Sequence, residues 1–243
     1  MRGKNFLHIC IINLLFGGHY IYSKFNRVYY PSKGTFVRGF ISRSLLHDVD
    51  LVYSTEELGE VKGSTNAFTK FGADVEHRIS FSPKTTGIIG ANFAFTATDK
   101  IKNDEISFIE YGYSAKYSLG GMITAPRRGT YTFPGMHEDE IFFTQIMNLQ
   151  LGVQFNPTSK LFITPHLNFA SLGFDDLSDY FEDAFSPSGS WPEGFETSGV
   201  FSAGATFAYH SFLGPVNFDV SYVNDIDKIR IFFSVGLLMN RSN

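Results

Sequence analysis

The sequence predicts an all-β protein, an antiparallel transmembrane β-barrel present as about nine to ten strands of a larger barrel. Three observations lead there. Apolar and polar residues alternate strictly over long segments, several segments reach 11 to 13 residues, and long and short connections take turns between them. Alternation puts one side-chain set on each face of a strand. A tilted strand needs about 9–11 residues to cross a bilayer, whereas strands of globular proteins centre on about 5–6. Outer-membrane barrels join their strands by short turns at one rim and long loops at the other.

Composition narrows the class further. The 243 residues are 43% hydrophobic and 16% aromatic with a net charge of −4, which excludes a disordered chain. No window supplies the roughly 18 consecutive apolar residues of a membrane helix. Twenty basic against 24 acidic residues and a pI near 6.0 give no argument for a nucleic-acid partner. One cysteine, Cys10, excludes a disulfide framework and a multi-cysteine zinc site. The length fits one domain, 1–243.

The first residues admit two readings. Arg2 and Lys4 before the apolar run 6–16 resemble the start of a signal peptide. No small-x-small cleavage site follows, and His19, Tyr20 and Tyr22 read as strand, so residues 1–15 are strand or signal-like segment. The second reading has Met1 falling inside a longer reading frame.

Nine strands are expected, at 16–26, 34–46, 69–81, 85–97, 143–155, 160–170, 200–211, 215–223 and 227–239. In the third, Phe71, Ala73, Val75, Ile79 and Phe81 interleave with Gly72, Asp74, Glu76, Arg78 and Ser80. In the fifth, Met147, Leu149, Leu151, Val153 and Phe155 interleave with Asn148, Gln150, Gly152 and Gln154. The seventh alternates Phe201, Ala203, Ala205, Phe207 and Tyr209 with Ser202, Gly204, Thr206 and His210. The eighth alternates Val216, Phe218, Val220 and Tyr222 with Asn217, Asp219 and Ser221. The last sets Ile229, Ile231, Phe233, Val235, Leu237 and Met239 against Lys228, Arg230, Ser234 and Gly236. Apart from the terminal hairpin, the gaps alternate short and long: 27–33, 47–68, 82–84, 98–142, 156–159, 171–199 and 212–214. That order puts the carboxyl terminus on the periplasmic side. The run 109–119 also alternates, but as a single wall strand it would invert every earlier loop. It is therefore placed inside the 98–142 loop, paired as a hairpin with 122–133. Tyrosines near strand ends (Tyr20, Tyr22, Tyr29, Tyr30, Tyr111, Tyr113, Tyr117, Tyr209, Tyr222) fit interfacial girdles.

These residues carry a resemblance. The stretch from Tyr20 through Asn26, Arg27 and Pro31 to Gly34 is similar to the strand–turn–strand signature of the BamA-like barrel superfamily. Gly120 and Gly121 resemble the Gly-Gly that precedes its long loop, and Gly204 through Gly214 and Pro215 resemble its penultimate hairpin. The resemblance spans most of the chain and implies a barrel of about sixteen strands. The chain would then be its carboxyl-terminal part, a fragment from a truncated or split gene. Insertion and secretion members carry Val-Arg-Gly-Phe/Tyr at the loop tip, where this chain has Thr132, Phe133, Pro134, Gly135 and Met136. The Asp that pairs with that Arg would fall near Asn168 or Ser171, so neither half of the pair is present. Barrels fused to patatin-like phospholipases show tips of this Phe-Pro-Gly kind, and the resemblance is nearest to them.

Candidate chemistry is sparse. A patatin-type hydrolase needs a Gly-x-Ser-x-Gly elbow, and the chain contains none, so no lipase activity is expected of it. His137-Glu138-Asp139-Glu140 has carboxylates and imidazole but no ligand spacing, and it reads as an acidic loop facing water. His166 and His210 fall on polar parities and are expected to line a lumen. Asp175, Asp176, Asp179, Glu182 and Asp183 read as a solvated external loop, with Phe181 and Phe185 sharing one side of a short helix. Arg127 and Arg128 are expected to pair with the lumen carboxylates Asp74, Glu76 or Glu110; lipid-A phosphates are the other partner open to them. No metal or cofactor is expected.

The functional expectation is a non-catalytic barrel of the bacterial outer membrane, in contact with its lipid, which anchors or translocates an attached patatin-like domain. An upstream barrel segment is the other partner to expect. Two rivals stand beside it: a porin-like or assembly barrel, and a soluble β-barrel that binds a lipophilic ligand with its polar residues outside.

Overall fold

The computed structural model describes residues 7–55, 59–63, 67–98, 115–121, 129–174, 177–193, 196–212, 214–224 and 228–236. Its strands are β1 (Leu7–Phe25), β2 (Gly34–Thr55), β3 (Gly59–Gly63), β4 (Phe68–Ser82) and β5 (Thr85–Thr98). Three short ones follow, β6 (Tyr117–Leu119), β7 (Thr130–Tyr131) and β8 (Ile141–Phe143). Then come β9 (Gln145–Phe155), β10 (Leu161–Gly173), helix α1 (Leu177–Asp183), β11 (Ser198–Ser211), β12 (Gly214–Val223) and β13 (Lys228–Val235). The wall is one antiparallel sheet in the order β1-β2-β4-β5-β9-β10-β11-β12-β13, with β3 hydrogen-bonded to β2 as an extra. Fold class and strand order are those the alternation predicts: a partial antiparallel β-barrel of nine consecutive wall strands.

The orientation of the two parities organises the molecule. Ile231 (64% exposed) and Phe233 (69%) on β13 lie outside, as do Phe218, Phe207, Leu149 and Val75 on their strands. Asp74, Asn148, Gln154, Ser202, Asp219 and Ser221, on the other parity, are buried on the inside. Directly paired residues share a face, so the register carries one oily exterior from strand to strand: Val37 pairs Val75, Val75 pairs Ala91, Ala91 pairs Leu149 and Leu149 pairs Phe169.

Connections at one rim are short: 83–84, 156–160 and 212–213, together with the turn 26–33. The opposite rim carries the long ones. The turn 26–33 is built by Asn26, whose Oδ1 accepts from the Ser32 and Lys33 amides at 3.0 and 3.2 Å while its amide donates to Ser32 Oγ at 2.8 Å. The turn then folds inward across the short-turn mouth. Tyr30 stacks on Phe162 of β10 with ring centroids 4.3 Å apart, and its hydroxyl donates to Asn217 Oδ1 of β12 at 2.7 Å. Arg78 donates to the Pro31 carbonyl at 3.0 Å and to Gln154 at 3.2 Å. These contacts hold Tyr30 at φ 46°, the left-handed region that a bulky residue avoids. Burial, and then the adjacent Tyr29, push its phenol up to about 12, so it stays a neutral donor at ordinary pH.

Several expectations are corrected. β1 and β2 are longer than expected, because Leu7–Leu14 pairs with Leu46–Tyr53 as a ribbon beyond the other strands. The register shifts between Leu14 and Leu15, where Leu45 of β2 is passed over, and of the two readings of the first residues the strand holds from Leu7 onward. Residues 1–6, including Arg2 and Lys4, lie outside the described residues, as do 237–243 at the end of the last predicted strand. The predicted strand 143–155 divides at Thr144 into β8 and β9. Within the 98–142 loop, β6 pairs antiparallel with β8 and parallel with β7, not as a hairpin with 122–133. Residues 99–114 and 122–128 lie outside the described residues, among them Glu110, Tyr111, Tyr113, Arg127 and Arg128. Of the remaining predicted girdle, Tyr20, Tyr22, Tyr209 and Tyr222 do face outward, whereas Tyr30 and Tyr117 turn in.

Asn26→Ala should destabilise the folded chain by about 1 kcal/mol, the worth of the turn's side-chain hydrogen bonds. A urea midpoint equal to that of the parent would show that the turn is held from the barrel interior alone.

Candidate functional site

The barrel interior is the candidate site, since there the long loop meets the polar parity. Two polar clusters line the wall. On one side Arg38 Nε lies 2.5 Å from Asp74 Oδ2, and Asn92 donates to Asp74 Oδ1 at 2.9 Å. Asn148 donates to Asn92 at 3.1 Å, so the chain of contacts crosses β2, β4, β5 and β9. Lower on β4, Arg78 Nε pairs with Glu76 at 2.5 Å. On the other side Asp219 of β12 is fully buried. Its Oδ2 takes His166 Nε2 at 2.9 Å and the Thr206 hydroxyl at 2.7 Å, and Ser221 donates to Oδ1. Asn168 joins this cluster through His166 Nδ1 at 3.1 Å and Ser202 Oγ at 3.2 Å. A carboxylate out of water survives only with such partners, and removing one strands a charge.

Residues 115–121 and 129–143 fill the space above these clusters. Phe133 and Met136 are fully buried, packed with Tyr117, Leu119 and Tyr131 against Ile146, Leu172, Val200 and Val223 of the wall. Each such apolar side chain contributes about 1.5–3 kcal/mol on leaving water. Burial, then the nearby Asp74 and Tyr117, raise the Tyr131 phenol well above its usual range. The polar contacts run from one side of the wall to the other. Lys70 of β4 donates to the Lys116 carbonyl at 2.7 Å and sits 3.9 Å over the Tyr117 ring. Thr96 donates to the Ala115 carbonyl at 2.7 Å, Gln150 to the Thr132 carbonyl at 3.3 Å. Arg230 of β13 grips Glu140 at 2.8 and 2.6 Å and reaches the Gly135 carbonyl at 3.4 Å.

The signature residues fall into two groups. Asn26, Pro31 and Gly34 form the inward-folded turn, with Gly34 at φ 137°, and Arg27 is exposed beside it. The others converge on the loop. Gly120 and Gly121, at φ 133° and 78°, bond to the Tyr131 and Met136 carbonyls at 2.9 and 3.0 Å. Gly121 accepts in turn from the Phe133 amide at 3.2 Å. Gly135, one residue past Pro134 and at φ 92°, lies so close to β12 that a Cβ would sit 2.5 Å from Val223 Cγ2 and 3.0 Å from Ser221 Cβ. From the neighbouring strand Gly204 faces the same Ser221, and a Cβ there would overlap its hydroxyl. Ser221 thus joins loop tip, β11 and Asp219. Gly214, at φ 110°, follows the last short turn as the first residue of β12, and the Pro215 carbonyl accepts from Gly236 at 2.9 Å.

Asn168 faces the interior as part of the Asp219 cluster, whereas Ser171 lies on the outer parity. Asp74 and Glu76 take Arg38 and Arg78 as partners; Arg127, Arg128 and Glu110 are outside the described residues. His166 lies inside on Asp219, while His210 is exposed, 5.4 Å from the Tyr29 ring. The expectation of a water-facing 137–140 segment holds for the exposed His137 and Glu138 and is corrected for the other two: Glu140 pairs with Arg230, and Asp139 accepts from Ser118 at 2.6 Å. Among the described residues no group of three metal-type ligands converges.

Alternation alone misses the apolar inner band. Ile146, Leu172, Val200 and Val223 sit on the inner parity, each next to an apolar or small residue of the outer one. The signal is present as a loss of alternation at the long-loop ends of the strands.

Gly135→Val should expel the loop tip, seen as new protease cleavage within 129–143 while the wall keeps its β circular dichroism. Arg230→Ala should act in the same direction but more weakly, losing a charge-assisted contact of about 1.5–3 kcal/mol. Unchanged cleavage in both would mean that the tip is held from elsewhere.

Comparison with known proteins gives no matching family model and no matching curated protein. Among solved structures, BamA from Haemophilus ducreyi, in a form lacking POTRA domains 1–3, aligns with a TM-score of 0.59 at 16% identity. The alignment covers 89% of this chain and 41% of that one, so the chain spans less than half the length of that structure. The likeness is one of fold, and the fold of this chain is BamA-like: a partial antiparallel barrel with no described helix long and apolar enough to cross a membrane.

Proposed function

We propose that the chain is a barrel segment of the bacterial outer membrane, of the assembly or translocation kind, whose role is architectural. The observation that carries this reading is the orientation of the parities: large apolar side chains outside, charged and amide groups inside. A bilayer tolerates strands only where the backbone hydrogen bonds are paired and the outward face is oily. A soluble lipid-binding barrel needs the reverse arrangement. An open porin needs a clear lumen, whereas here residues 115–121 and 129–143 pack across it. The short-turn rim, where β13 ends, would be periplasmic.

The finer reading is that the barrel anchors or translocates an associated patatin-like domain. It is supported by the Phe133-Pro134-Gly135 tip, where the insertion-type members of the resembled superfamily carry Arg. The barrel itself would supply no catalytic group.

Spin labels at Phe218→Cys and Ile231→Cys, in a Cys10→Ser background, test the membrane placement in reconstituted vesicles. Both should collide preferentially with dissolved oxygen, and a label at Asn217→Cys should not. Preferential collision with a water-soluble nickel chelate at all three positions would rule out the membrane. For the finer reading, a patatin-like domain supplied with the inserted barrel should co-purify with it. Correct insertion without that association removes the patatin-like partner and leaves the barrel.

A further inference from the structure

Strand alternation assigns Phe95 of β5, Gln145 of β9 and Gly173 of β10 to the outer face of the wall, at its long-loop rim. A bare rim is the expectation there, with 171–199 standing in water. Instead α1 comes down on the outside. Tyr180 and Ala184 are buried in one cluster with Phe95, and Phe71, Met147 and Leu177 pack around them. The Tyr180 ring occupies the space that a side chain at Gly173 would fill, and its hydroxyl donates to the Ser171 carbonyl at 3.1 Å. Gly173 is thus the seat on which the helix rests, and the expectation of a wholly solvated loop is corrected.

The helix has three sides. Leu177, Tyr180 and Ala184, spaced i, i+3, i+7, form the side against the wall. Asp179, Glu182 and Asp183 lie on the other side and are exposed. Phe181 and Phe185, spaced i, i+4, follow each other along the flank between, the second just beyond the last helical turn. Phe181 lies 5.3 Å from the Phe95 ring yet is 48% exposed, and Phe185 is 87% exposed. Below Phe95 the outer row of β5 continues through Phe93 and Ala91 to Ile89, each two residues on and therefore on the same face, and Phe93 and Ile89 are exposed. The aromatic flank is the upper end of the outward apolar belt.

We propose that residues 177–185 form an interfacial foot, with Phe181 and Phe185 set into the headgroup–acyl boundary of the lipid leaflet at this rim. The proposal rests on the outer-membrane reading above. Its occupant is lipid because the flank is continuous with the belt, and because the carboxylates sit apart from it, on the side left to water. That division is the amphipathic split of an in-plane helix. The acidic polar side favours a zwitterionic or cation-screened surface over a bare anionic one. Docked on Gly173, the foot would fix how deeply this rim sits in the bilayer, the role that interfacial aromatics play in membrane proteins.

The test uses the full chain in phosphatidylcholine vesicles, with lipids brominated either near the carbonyl end or deep in the acyl chain. Phe185→Trp reports on the foot and Ile89→Trp on the belt, and the signal of Trp191 is subtracted using the parent protein. Phe185→Trp should emit to the blue of water-exposed Trp and be quenched more by the shallow bromines, by at least twofold over the deep ones. Ile89→Trp should be quenched more by the deep ones. If Ile89→Trp is quenched while Phe185→Trp emits as in water and yields to acrylamide, the foot is wrong and the membrane barrel stands. Quenching of neither overturns the membrane reading and the foot with it. Shielding of Phe185→Trp that vanishes as lipid is added per protein would mean that a second copy covers the flank, which also overturns the proposal.

Discussion

Backbone hydrogen bonding and side-chain parity are coupled in this sheet, and everything else in the molecule answers to that coupling. A strand paired on both sides has two faces only, and pairing forces neighbours to agree on which is which. Once Val75, Leu149, Phe218 and Phe233 lie outside, Asp74, Asn148, Asp219 and Ser234 have no choice but the interior. A single-residue slip anywhere would turn carboxylates outward and leucines inward. The long outer rows of Ile, Phe and Val therefore fix register as strongly as the hydrogen bonds do, and the pairs from Val37 through Val75, Ala91 and Leu149 to Phe169 keep one face from strand to strand.

An interior forced to be polar raises the question of what fills it. The lumen clusters solve it locally: Asp74 has Arg38 and Asn92, and Asp219 has His166, Thr206 and Ser221. Nearer the long-loop rim the inner parity turns apolar, and the loop supplies Phe133, Met136 and Tyr131 to cover it. Close approach is what makes this possible. Gly135 and Gly204 both lie against Ser221, where any side chain would push loop tip or strand away. Polar anchoring at the edges, from Lys70 to Arg230, then keeps the plug in one place.

The two long connections treat the wall in opposite ways. Residues 115–121 and 129–143 enter the barrel and take their apolar side chains to the inner band. The segment carrying α1 goes over the rim and lays Tyr180 on the outer face. Both rely on a glycine in the partner strand or the loop to bring the chains together, and both end with charged residues turned away from the oily contact. The likeness to BamA, at 16% identity, is one of fold and matches the architecture of this wall.

Much of the architecture is legible in the residues themselves. Alternation at 69–81, 143–155, 200–211 and 215–223 defines strands, their faces and their order, because a period of two survives wherever one face meets oil and the other does not. Loop lengths sort the two rims for the same local reason. Alternation fails where both faces are apolar, so Ile146, Leu172 and Val200 give no hint that they form the bed of a plug. The partnership of Arg230 with Glu140, 90 residues apart, and the seating of Tyr180 on Gly173 were decided only by the folded sheet. Neither leaves a periodic trace: the first joins segments 90 residues apart across the lumen, and the second depends on the chain turning back over the rim to lay Tyr180 on the outer face.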